Sequence, residues 1–421
     1  MLQSRLFCKT LKEAPKEAEV ISHKLLLRGG FISQLASGVY NFLPLGYRVH
    51  KKIENIIREE MNSIGGQEVF LASFQPKEIW QKTNRWDHMD PPLFKIKDRH
   101  KKEFALGSTH EEVITDLVRE RVQSYKDLPI YLYQIQNKFR NEMRFTGGLL
   151  RAKEFVMKDL YSFHTDKEDL DKFFNRVLLA YDKIYKRCGL EAIRSEASGG
   201  VFTKEKTYEF QVLSDIGEDK VIYCQKCNWA TNLEVAEVKP GDKCPKCKSN
   251  LIKGNSIEVG HIFKLGTKYS KAIGLCFRNK KGEKKDVIMG CYGIGLGRLM
   301  ATIVEANHDK KGIIWPKSIA PFDIHLIPIF SRKKKIDKKI RKVSEKFYQT
   351  GQKEKIEILY DDREGISSGE KFVEADLIGI PMRIVISEKT LNKNSVEIKR
   401  RDQEKTKLVK IKEAGKWFTD F

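Results

Sequence analysis

Three arginines lie close together in the segment FRNEMRFTGGLLRAKEF, on either side of a Gly-Gly pair. The pattern predicts two antiparallel strands joined by a short loop. Arg140, Glu142 and Arg144 alternate with uncharged residues and would therefore share one face of the first strand. Arg151 and Phe155 would share a face of the return strand. Guanidinium groups are planar, permanently charged and bidentate toward phosphate, so this surface suits a polyanion, although a merely solvated hairpin would contain the same residues.

Four of the eight cysteines form two Cys-x-x-Cys pairs, Cys224 with Cys227 and Cys244 with Cys247. Pairs separated by 16 residues have the spacing of a zinc ribbon, and in a reducing compartment thiolates coordinate metal rather than form disulfides. The protein would fill all four ligand positions, so the predicted Zn²⁺ is structural. Two unrelated dithiols are the alternative.

The composition is strongly basic, with 79 Lys and Arg against 57 Asp and Glu and a net charge of +22. This charge suggests a nucleic-acid partner, although a solubilising surface would give the same number. A chain of 421 residues with 40% hydrophobic content can form two or three domains. The sequence contains no apolar run long enough to span a membrane, and its first twenty residues do not look like a targeting signal. We therefore expect a cytoplasmic protein.

The segments FRNE and LLRAKEF resemble motif 2 of class II aminoacyl-tRNA synthetases, and their neighbours resemble a bacterial-type prolyl-tRNA synthetase. Further resemblances are ASGVYNFLPLGYRVHKKIENIIREEM to motif 1, LGSTHEEVITDL to the amino-acid-binding loop, MGCYGIGLGRLMATIVE to motif 3 and YDDREGISSGEKFVEADLIGIPMRIVI to the anticodon-binding domain. The segments follow the family's order and spacing over nearly the whole chain. The resemblance implies an α/β protein whose α+β catalytic domain has the class II antiparallel sheet flanked by helices.

The same resemblance implies how the chain divides. We predict the first part of the catalytic domain at 1–219, a small zinc-ribbon-like insert at 220–255 and the rest of the catalytic domain at 256–318. Two prolines in IIWPKSIAPFDI mark the next boundary, and strands and helices alternate beyond it. Residues 319–421 are therefore predicted to be a C-terminal α/β anticodon-binding domain.

The activity implied by the resemblance is activation of L-proline by ATP and Mg²⁺, in which fixed cations stabilise the developing phosphate charge. Arg140 and Arg298 are the predicted catalytic residues, at the α-phosphate and the γ-phosphate respectively. Glu142 would accept from the adenine amino group, and Phe155 would stack on the ring. The full predicted ATP-binding set is Arg140, Glu142, Arg151, Phe155, Lys264, Thr267 and Arg298. Lys264 stands where the family usually has Gln, and a surface lysine explains it equally well.

Proline itself is assigned to a second set of residues. Thr109 and Glu111 would accept the two N–H groups of its secondary ammonium, whereas a Ser108 or Thr109 helix cap is the alternative for this loop. Arg140 would meet the carboxylate of proline. Phe210 would flank the pyrrolidine ring, although any strand contains such a phenylalanine.

The partner implied by the resemblance is tRNA(Pro). Arg144 would contact the acceptor end, although this loop lacks the family's second arginine. Asp362, Arg363 and Lys371 would read the anticodon. The basic segment SRKKKIDKKIRK is either a solvated helix face or a phosphate contact.

The insert and the first long helix carry two further predictions. About thirty residues cannot enclose the editing pocket that bacterial-type enzymes commonly have at 220–255, so we predict no editing in cis. Because a proline pocket rejects the smaller alanine only weakly, a separate trans-editing protein is expected. The amphipathic helix at 47–61 is either a core helix or, as the resemblance favours, part of a homodimer interface. The rivals are a class II synthetase of other specificity and a non-catalytic tRNA-binding relative, and the full set of ATP residues argues against the second.

Overall fold

The computed structural model describes residues 1–143, 145, 147–200, 202, 203, 205 and 207–414. By internal contacts the chain forms two units. The large unit contains Gln34–Tyr40 and Ile53–Thr302, and the small unit contains Met1–Ser33, Asn41–Lys52 and the chain from Ile303 onward. Met1–Ser33 therefore groups with the C-terminal residues, which differs from the division drawn on the sequence.

Helices occur in both units. The α-helices are α1 (Ile21–Arg28), α2 (Pro44–Ser63), α3 (Lys77–Lys82), α4 (Glu111–Arg119), α5 (Lys167–Arg187), α6 (Lys268–Ile273), α7 (Leu296–Ala306), α8 (Lys334–Lys353), α9 (Ser368–Ile378), α10 (Glu388–Leu391) and α11 (Ile411–Ala414). The amphipathic helix predicted at 47–61 is confirmed as α2, and its apolar positions Val49, Ile53 and Ile57 are fully buried. Among the described residues, no helix combines the length and apolarity that a membrane span requires.

Most strands are short and belong to one of two larger sheets. The strands are β1 (Ile32–Ala36), β2 (Val39–Phe42), β3 (Gln67–Glu68), β4 (Phe74–Pro76), β5 (Lys95–Lys97), β6 (Glu103–Leu106), β7 (Ile130–Phe139), β8 (Glu154–His164), β9 (Ile193–Ala197), β10 (Thr207–Leu213), β11 (Asp219–Tyr223), β12 (Ala230–Asn232), β13 (Ile252–Gly266), β14 (Cys276–Arg278), β15 (Lys284–Asp286), β16 (Ile288–Gly295), β17 (His308–Asp309), β18 (Gly312–Ile313), β19 (Ile324–Pro328), β20 (Ile358–Tyr360), β21 (Met382–Ile386), β22 (Ser395–Arg400) and β23 (Thr406–Lys410).

The main sheet of the large unit has the strand order β10-β9-β12-β11-β13-β16-β8-β7-β3, and β10 also pairs with β13. Its long central ladders β7–β8, β8–β16 and β16–β13 are all antiparallel, which confirms the predicted antiparallel sheet. Two of its strands, β11 and β12, come from the four-cysteine insert. The insert is therefore built into this sheet.

The two faces of the main sheet differ because side chains alternate along each strand. On β8, Lys158 donates to the hydroxyl of Tyr181 on α5, whereas Tyr161 packs in the core that contains Ile114 of α4. We call these the α5 face and the α4 face. The α5 face is filled by buried aromatic rings, and the α4 face carries the charged groups described below.

The hairpin of β7 and β8 departs from the prediction at its tip. The β7–β8 ladder ends where Phe139 pairs with Glu154, so Arg140, Glu142 and Arg151 lie in the connection and not on the strands. The predicted alternation of these charges along a strand is therefore wrong. After one further backbone bond, from Arg140 N to Lys153 O at 2.8 Å, the chain leaves the ladder. It turns back at Gly147, whose φ of 68° is costly for a residue with a Cβ.

The small unit contains a mixed five-stranded sheet in the order β20-β19-β21-β22-β23. The pairs β19–β20 and β19–β21 are parallel, and the pairs to β22 and β23 are antiparallel. Helix α8 covers the sheet with Ile340 and Phe347 against Leu326 and Ile384. This arrangement confirms the predicted C-terminal α/β domain.

Candidate active site

Arg140 follows β7 directly and has an unused donor. Its guanidinium carbon lies 5.3 Å from the centre of the Phe155 ring, so these two predicted nucleotide-binding residues are brought together. Its Nε atom is buried and has no hydrogen-bond acceptor among the described residues. Burial lowers the pKa of Arg140, and the charge of Arg298 lowers it further. A desolvated cation with a free N–H beside a second cation is the local arrangement that an anion would stabilise.

Arg151 and Glu142 are brought together in the same connection. Arg151 donates to the Glu142 carboxylate through Nε at 3.0 Å, and its Nη1 reaches Glu218 at 3.1 Å. The Glu142 side chain is only 12% exposed to solvent. The predicted adenine acceptor is thus already held by an arginine, which fixes the orientation of its carboxylate.

Arg298 lies in the first turn of α7, immediately after the glycine-rich strand β16. Its Nε donates to the carbonyl oxygen of Leu150 at 2.8 Å, which ties the helix to the β7–β8 connection. Its Nη1 lies 3.8 Å from the Glu258 carboxylate. The prediction of a strand, a glycine-rich turn and a helix beginning near Gly297 is confirmed by β16 and α7.

Thr109 and Glu111 meet in a buried pocket on the α4 face. The Thr109 hydroxyl donates to Glu111 Oε2 at 2.6 Å, and Arg85 Nη1 donates to the same oxygen at 3.2 Å. The other oxygen, Oε1, has longer contacts, to Cys291 Sγ at 3.3 Å and to the Tyr161 hydroxyl at 3.5 Å. The alternative of a Ser108 or Thr109 cap is wrong, because α4 begins after His110 and its N-terminus has no side-chain cap.

Arg85 was not predicted, although it lies at the centre of this pocket. Its guanidinium is 5.2 to 5.4 Å from the centres of the Trp80, Phe202 and Tyr269 rings. It is only 6% exposed and pairs with both Glu111 and Glu112. The tryptophans of WQKTNRW give a sequence signal for an aromatic cluster, but nothing in that segment shows its distant carboxylate partners.

Phe210 and Lys264 are not brought to this pocket. The Phe210 ring is fully buried on the α5 face, 5.1 Å from the Tyr181 ring and 5.2 Å from the Tyr185 ring. Lys264 also lies on the α5 face, where its Nζ is 2.6 Å from Asp171 of α5. Thr267 precedes α6 and lines a surface cleft with Thr165 and Lys271.

The rings of Phe202, His261 and Phe263 form an aromatic group on the α4 face. The Phe263 ring lies 3.9 Å from the His261 ring and 4.9 Å from the Phe202 ring, and Phe202 covers the Arg85 guanidinium. The alternation of GHIFKLG places His261 and Phe263 on one face, which is the signal that could have identified them.

A carboxylate cluster lies on the same face, near Arg298. The ligand atoms of Glu209, Glu258 and His261 lie within 4.8 Å of one another. Glu209 Oε2 accepts from Gln211 at 2.8 Å and from Asn232 at 3.1 Å, so its two nearest donors are neutral amides. Burial raises the pKa of Glu209 to about 8, and Glu258 adds to that shift.

The four cysteines of the insert converge. Cys224 and Cys247 have sulfur atoms 3.3 Å apart, those of Cys227 and Cys244 are 3.6 Å apart, and all four lie within 4.8 Å of one another. All four are free thiols. Each pair is followed by a residue in the left-handed region, Asn228 (φ 55°) or Lys248 (φ 62°). Zinc bound at about 2.3 Å to four sulfurs separates them by about 3.8 Å, so the cluster fits a tetrahedral zinc site.

Comparison with known proteins identifies the family. Residues 94–307 match the model of the tRNA synthetase class II core domain (G, H, P, S and T), and residues 323–420 match the anticodon binding domain. Proline--tRNA ligase of Desulforamulus reducens is 35% identical over 98% of both chains. That of Thermoanaerobacter sp. is 36% identical over 98% of this chain and 97% of its own length. The chain belongs to the proline--tRNA ligase family.

Two solved structures of prolyl-tRNA synthetases have the same fold. The Giardia lamblia enzyme, in complex with prolyl-adenylate, has a TM-score of 0.77 at 19% identity over 93% of this chain and 74% of its own. The Cryptosporidium parvum enzyme, complexed with halofuginone and AMPPNP, has a TM-score of 0.78 at 18% identity over 95% of this chain and 77% of its own. The predicted class II core and anticodon-binding domain are confirmed, and the chain is a class II aminoacyl-tRNA synthetase.

The anticodon residues predicted for this synthetase lie in the small unit. Asp362 accepts from the backbone N–H and the hydroxyl of Ser4 at 2.9 and 2.6 Å. Arg363 makes a bidentate pair with Asp361 at 2.8 and 2.9 Å, and Lys371 is 2% exposed and lies 3.5 Å from the same carboxylate. Arg144, predicted to contact the acceptor end, falls outside the described residues.

Proposed function

We propose that the chain activates L-proline with ATP to give prolyl-adenylate and pyrophosphate, and then transfers the prolyl group to the 3′ end of tRNA(Pro). The observation that carries this proposal is the arrangement of Arg140, with its unused buried N–H, beside a buried Thr109–Glu111 pair. The two segments are adjacent, because the backbone N–H of Phe139, next to Arg140, donates to the carbonyl oxygen of Gly107 at 3.0 Å. The names of the relatives support proline as the amino acid.

The pocket suits the nitrogen of proline. The Thr109 hydroxyl donates its only hydrogen to Glu111, so its lone pairs remain available for one substrate N–H. Glu111 Oε1 has only a thiol and a distant phenol near it and can accept the second N–H. Phe202 and Phe263 offer flat apolar surface for the pyrrolidine ring. Lys264 and Phe210, on the α5 face, have no part in this arrangement.

Activation needs positioned cations and no general base, because the attacking carboxylate is already ionised. Arg140 holds the proline carboxylate and the α-phosphate together, Phe155 stacks on the adenine, and Glu142, oriented by Arg151, accepts from its amino group. Arg298 holds the far end of the triphosphate. The carboxylate of Glu258 and, once ionised, that of Glu209 would suit Mg²⁺ as ligands, and a bound ion would offset charge on the phosphates.

The insert is proposed to hold a structural Zn²⁺ through Cys224, Cys227, Cys244 and Cys247. The convergence of the four sulfur atoms within 4.8 Å of one another supports this proposal. Elemental analysis of the purified protein should find about one zinc per chain, and loss of zinc in the Cys244→Ser variant would tie it to this cluster.

The remaining parts of the proposal concern partners. Alignments to the relatives run over 563 and 561 positions, whereas this chain has 421 residues, which supports the absence of editing in cis and the need for a trans-editing protein. A homodimer stays a proposal from the motif 1 resemblance, because the apolar positions of α2 are buried within the chain itself. The eight free cysteine thiols support a cytoplasmic location. Arg144 at the acceptor end and Asp362, Arg363 and Lys371 at the anticodon stay proposals.

Proline-dependent exchange of pyrophosphate into ATP tests the function directly. We expect exchange with L-proline, a slower exchange with alanine, and misacylated alanyl-tRNA that the pure protein does not hydrolyse. Exchange that depends on a different amino acid would assign the chain to a sibling specificity. No exchange with any amino acid would leave a non-catalytic tRNA-binding protein.

A further inference from the structure

Two consecutive carboxylates and one guanidinium occupy the floor of the amino-acid pocket. Glu111 and Glu112, in the first turn of α4, are 1% and 0% exposed. Arg85 lies between them, 3.2 Å from Glu111 Oε2 and 2.9 and 3.2 Å from the two oxygens of Glu112. Lys268 donates at 3.4 Å to the carbonyl oxygen of Phe202. Among the described residues, Arg85 is the one cation in direct contact with both carboxylates, and Lys268 acts on them from a greater distance.

The hydrogen bonds show which of the two carboxylates is the main counterion of Arg85. Glu112 accepts from Arg85 at both oxygens and from the Thr83 hydroxyl at 2.7 Å. Arg85 can only donate, so both oxygens of Glu112 act as acceptors toward it, as the oxygens of a carboxylate do. Burial raises the pKa of Glu112, and the donors Arg85 and Thr83 oppose that shift. Glu112 is therefore the main counterion of Arg85.

Glu111 is held differently, because its two oxygens have unequal partners. Oε2 accepts from Thr109 at 2.6 Å and from Arg85 at 3.2 Å, whereas the described residues offer Oε1 only the thiol of Cys291 and the phenol of Tyr161, at 3.3 Å or more. The Tyr161 hydroxyl already donates to Asp159 at 2.9 Å. Oε1 is thus the oxygen with capacity for a strong donor.

Arg85 cannot easily move to Oε1. The three rings of Trp80, Phe202 and Tyr269 surround its guanidinium, and Trp80 and Tyr269 are fully buried. Such a cation–π enclosure restricts the side chain to one position. Arg85 therefore stays at Oε2, and among the described residues it is the one cation paired with Glu111.

We propose that Arg85 is a positioning residue that sets the charge of the amino-acid pocket: it neutralises Glu112 and fixes Oε2 of Glu111, so that Oε1 of Glu111 keeps its negative charge for a protonated substrate nitrogen. This inference rests on the proposed function, because it names how that pocket selects an amino or imino acid. The ligand class is a small α-carboxylate with a cationic nitrogen. An uncharged ring of the same shape gains nothing from the arrangement.

The test removes the counterion and leaves Arg85 and Glu111 in place. Glu112→Gln keeps the side-chain shape and the contact to Thr83 but removes the charge that Arg85 balances, so that Arg85, without moving, offsets the charge of Glu111 through its existing contact at Oε2. We expect the KM for L-proline in pyrophosphate exchange to rise about tenfold or more, with kcat changed much less. The inhibition constant of tetrahydrofuran-2-carboxylate, which has proline's shape without the charged nitrogen, should stay the same.

Two further variants separate charge from structure. Arg85→Lys keeps the charge without the fork of donors, and we expect it to raise the KM for L-proline by a smaller factor than Glu112→Gln. Asp116→Asn on the same helix neutralises a carboxylate that pairs with Arg119 at the surface, and should change neither constant. An equal rise in the constants for L-proline and the neutral analogue in Glu112→Gln would show a merely structural role and overturn the proposal, as would an unchanged KM.

Calorimetry of binding keeps this inference distinct from the proposed function. If the wild-type protein catalyses no proline-dependent exchange, the proposed function fails. Titration of L-proline and of the neutral analogue into the wild type and Glu112→Gln still measures whether the charged ligand alone is weakened. Absence of L-proline binding to the wild type would overturn the inference as well.

Discussion

Two regions of this protein were predicted to bind nucleic acid or nucleotide through cations, and they differ in what those cations already contact. In the large unit, Arg140 keeps a buried Nε without an acceptor among the described residues. In the small unit, Arg363 gives two hydrogen bonds to Asp361, and Lys371 donates to the carbonyl oxygens of Pro328 and Asp361 at 3.2 Å. Arg140 can therefore donate to a ligand, whereas Arg363 and Lys371 already donate to acceptors of the folded chain.

This difference separates two roles that look alike in a sequence. A buried donor without a partner costs free energy, so the fold tolerates it where a ligand supplies the acceptor. A buried cation with a complete set of acceptors stabilises the fold. The comparison therefore makes opposite predictions for the two regions, activity loss in one and stability loss in the other.

The largest expected effect is on catalysis, at Arg140. We expect Arg140→Gln to lower the rate of proline-dependent pyrophosphate exchange by about a hundredfold to a thousandfold, because one preorganised donor to the transition state is lost. The melting temperature should change little, since the Nε atom has no partner to lose. Arg119→Gln, which removes an exposed arginine on α4, is the matched control. A lower melting temperature with an unchanged rate of pyrophosphate exchange would show instead that Arg140 stabilises the fold and does not act in catalysis.

The next effect is on stability, at Lys371. Lys371→Met should lower the free energy of unfolding of the small unit by about 3 kcal/mol, because Asp361 is fully buried and loses one of its two cations. Urea denaturation measures the change, and Lys389→Met at an exposed position is the control. Pyrophosphate exchange should stay at the wild-type rate. Unchanged stability together with a raised KM for tRNA would instead favour the anticodon role predicted from the sequence.

The main elements could be predicted from the sequence because their periodicity is strong. The glycine-rich strand and helix around Gly297 and the apolar face of α2 both follow from local spacing. The end of the β7–β8 ladder could not be predicted, since the alternation of Arg140 and Glu142 continues past the last paired residue, Phe139. The backbone conformation of the connection determines where strand pairing stops, and the alternation of side-chain types does not predict that point.

The predictions for two site residues were wrong because the sequence does not show which face of the sheet a side chain lies on. Phe210 and Lys264 carry suitable side chains, but pairing within the main sheet turns both toward α5. The β10–β13 ladder also shifts register between Phe210 and Gln211, so alternation on one strand cannot be transferred to its neighbour. Arg85 was missed for a related reason, because its partner Glu111 is 26 residues away along the chain.

Glu209 lies between the two cases of the comparison, since it is a buried acid whose nearest donors are the neutral amides of Gln211 and Asn232. Its pKa is raised from 4.5 to about 8, first by burial and then by Glu258. The folded chain thus holds this proton more tightly than the unfolded chain, so the resulting stability is fully present below about pH 4.5 and is lost as the pH rises through about 8.

Glu209→Gln should therefore flatten the pH dependence of stability. We expect the wild type to lose free energy of unfolding between pH 5 and about pH 8, and the variant to lose less over the same range. Denaturation at a series of pH values gives both curves, and Glu234→Gln at an exposed position controls for net charge. Parallel curves for the wild type and Glu209→Gln would mean that Glu209 is ionised throughout, as a group with full partners would be.

The smallest effect concerns Asn232, which joins the four-cysteine insert to Glu209 on the α4 face of the main sheet. Asn232 ends β12 and donates to Glu209 Oε2 at 3.1 Å, while its own Oδ1 accepts from the Glu234 amide at 3.1 Å. Asn232→Ala should cost about 1 kcal/mol of stability, whereas Asn250→Ala, at an exposed position of the same insert, should cost little. If the lost bond to Glu209 is the cause, the double variant Asn232→Ala/Glu209→Gln will be more stable than the sum of the single effects predicts. Additive effects would place the cost in the Glu234 contact, and the insert would then support the sheet without acting on the carboxylate cluster.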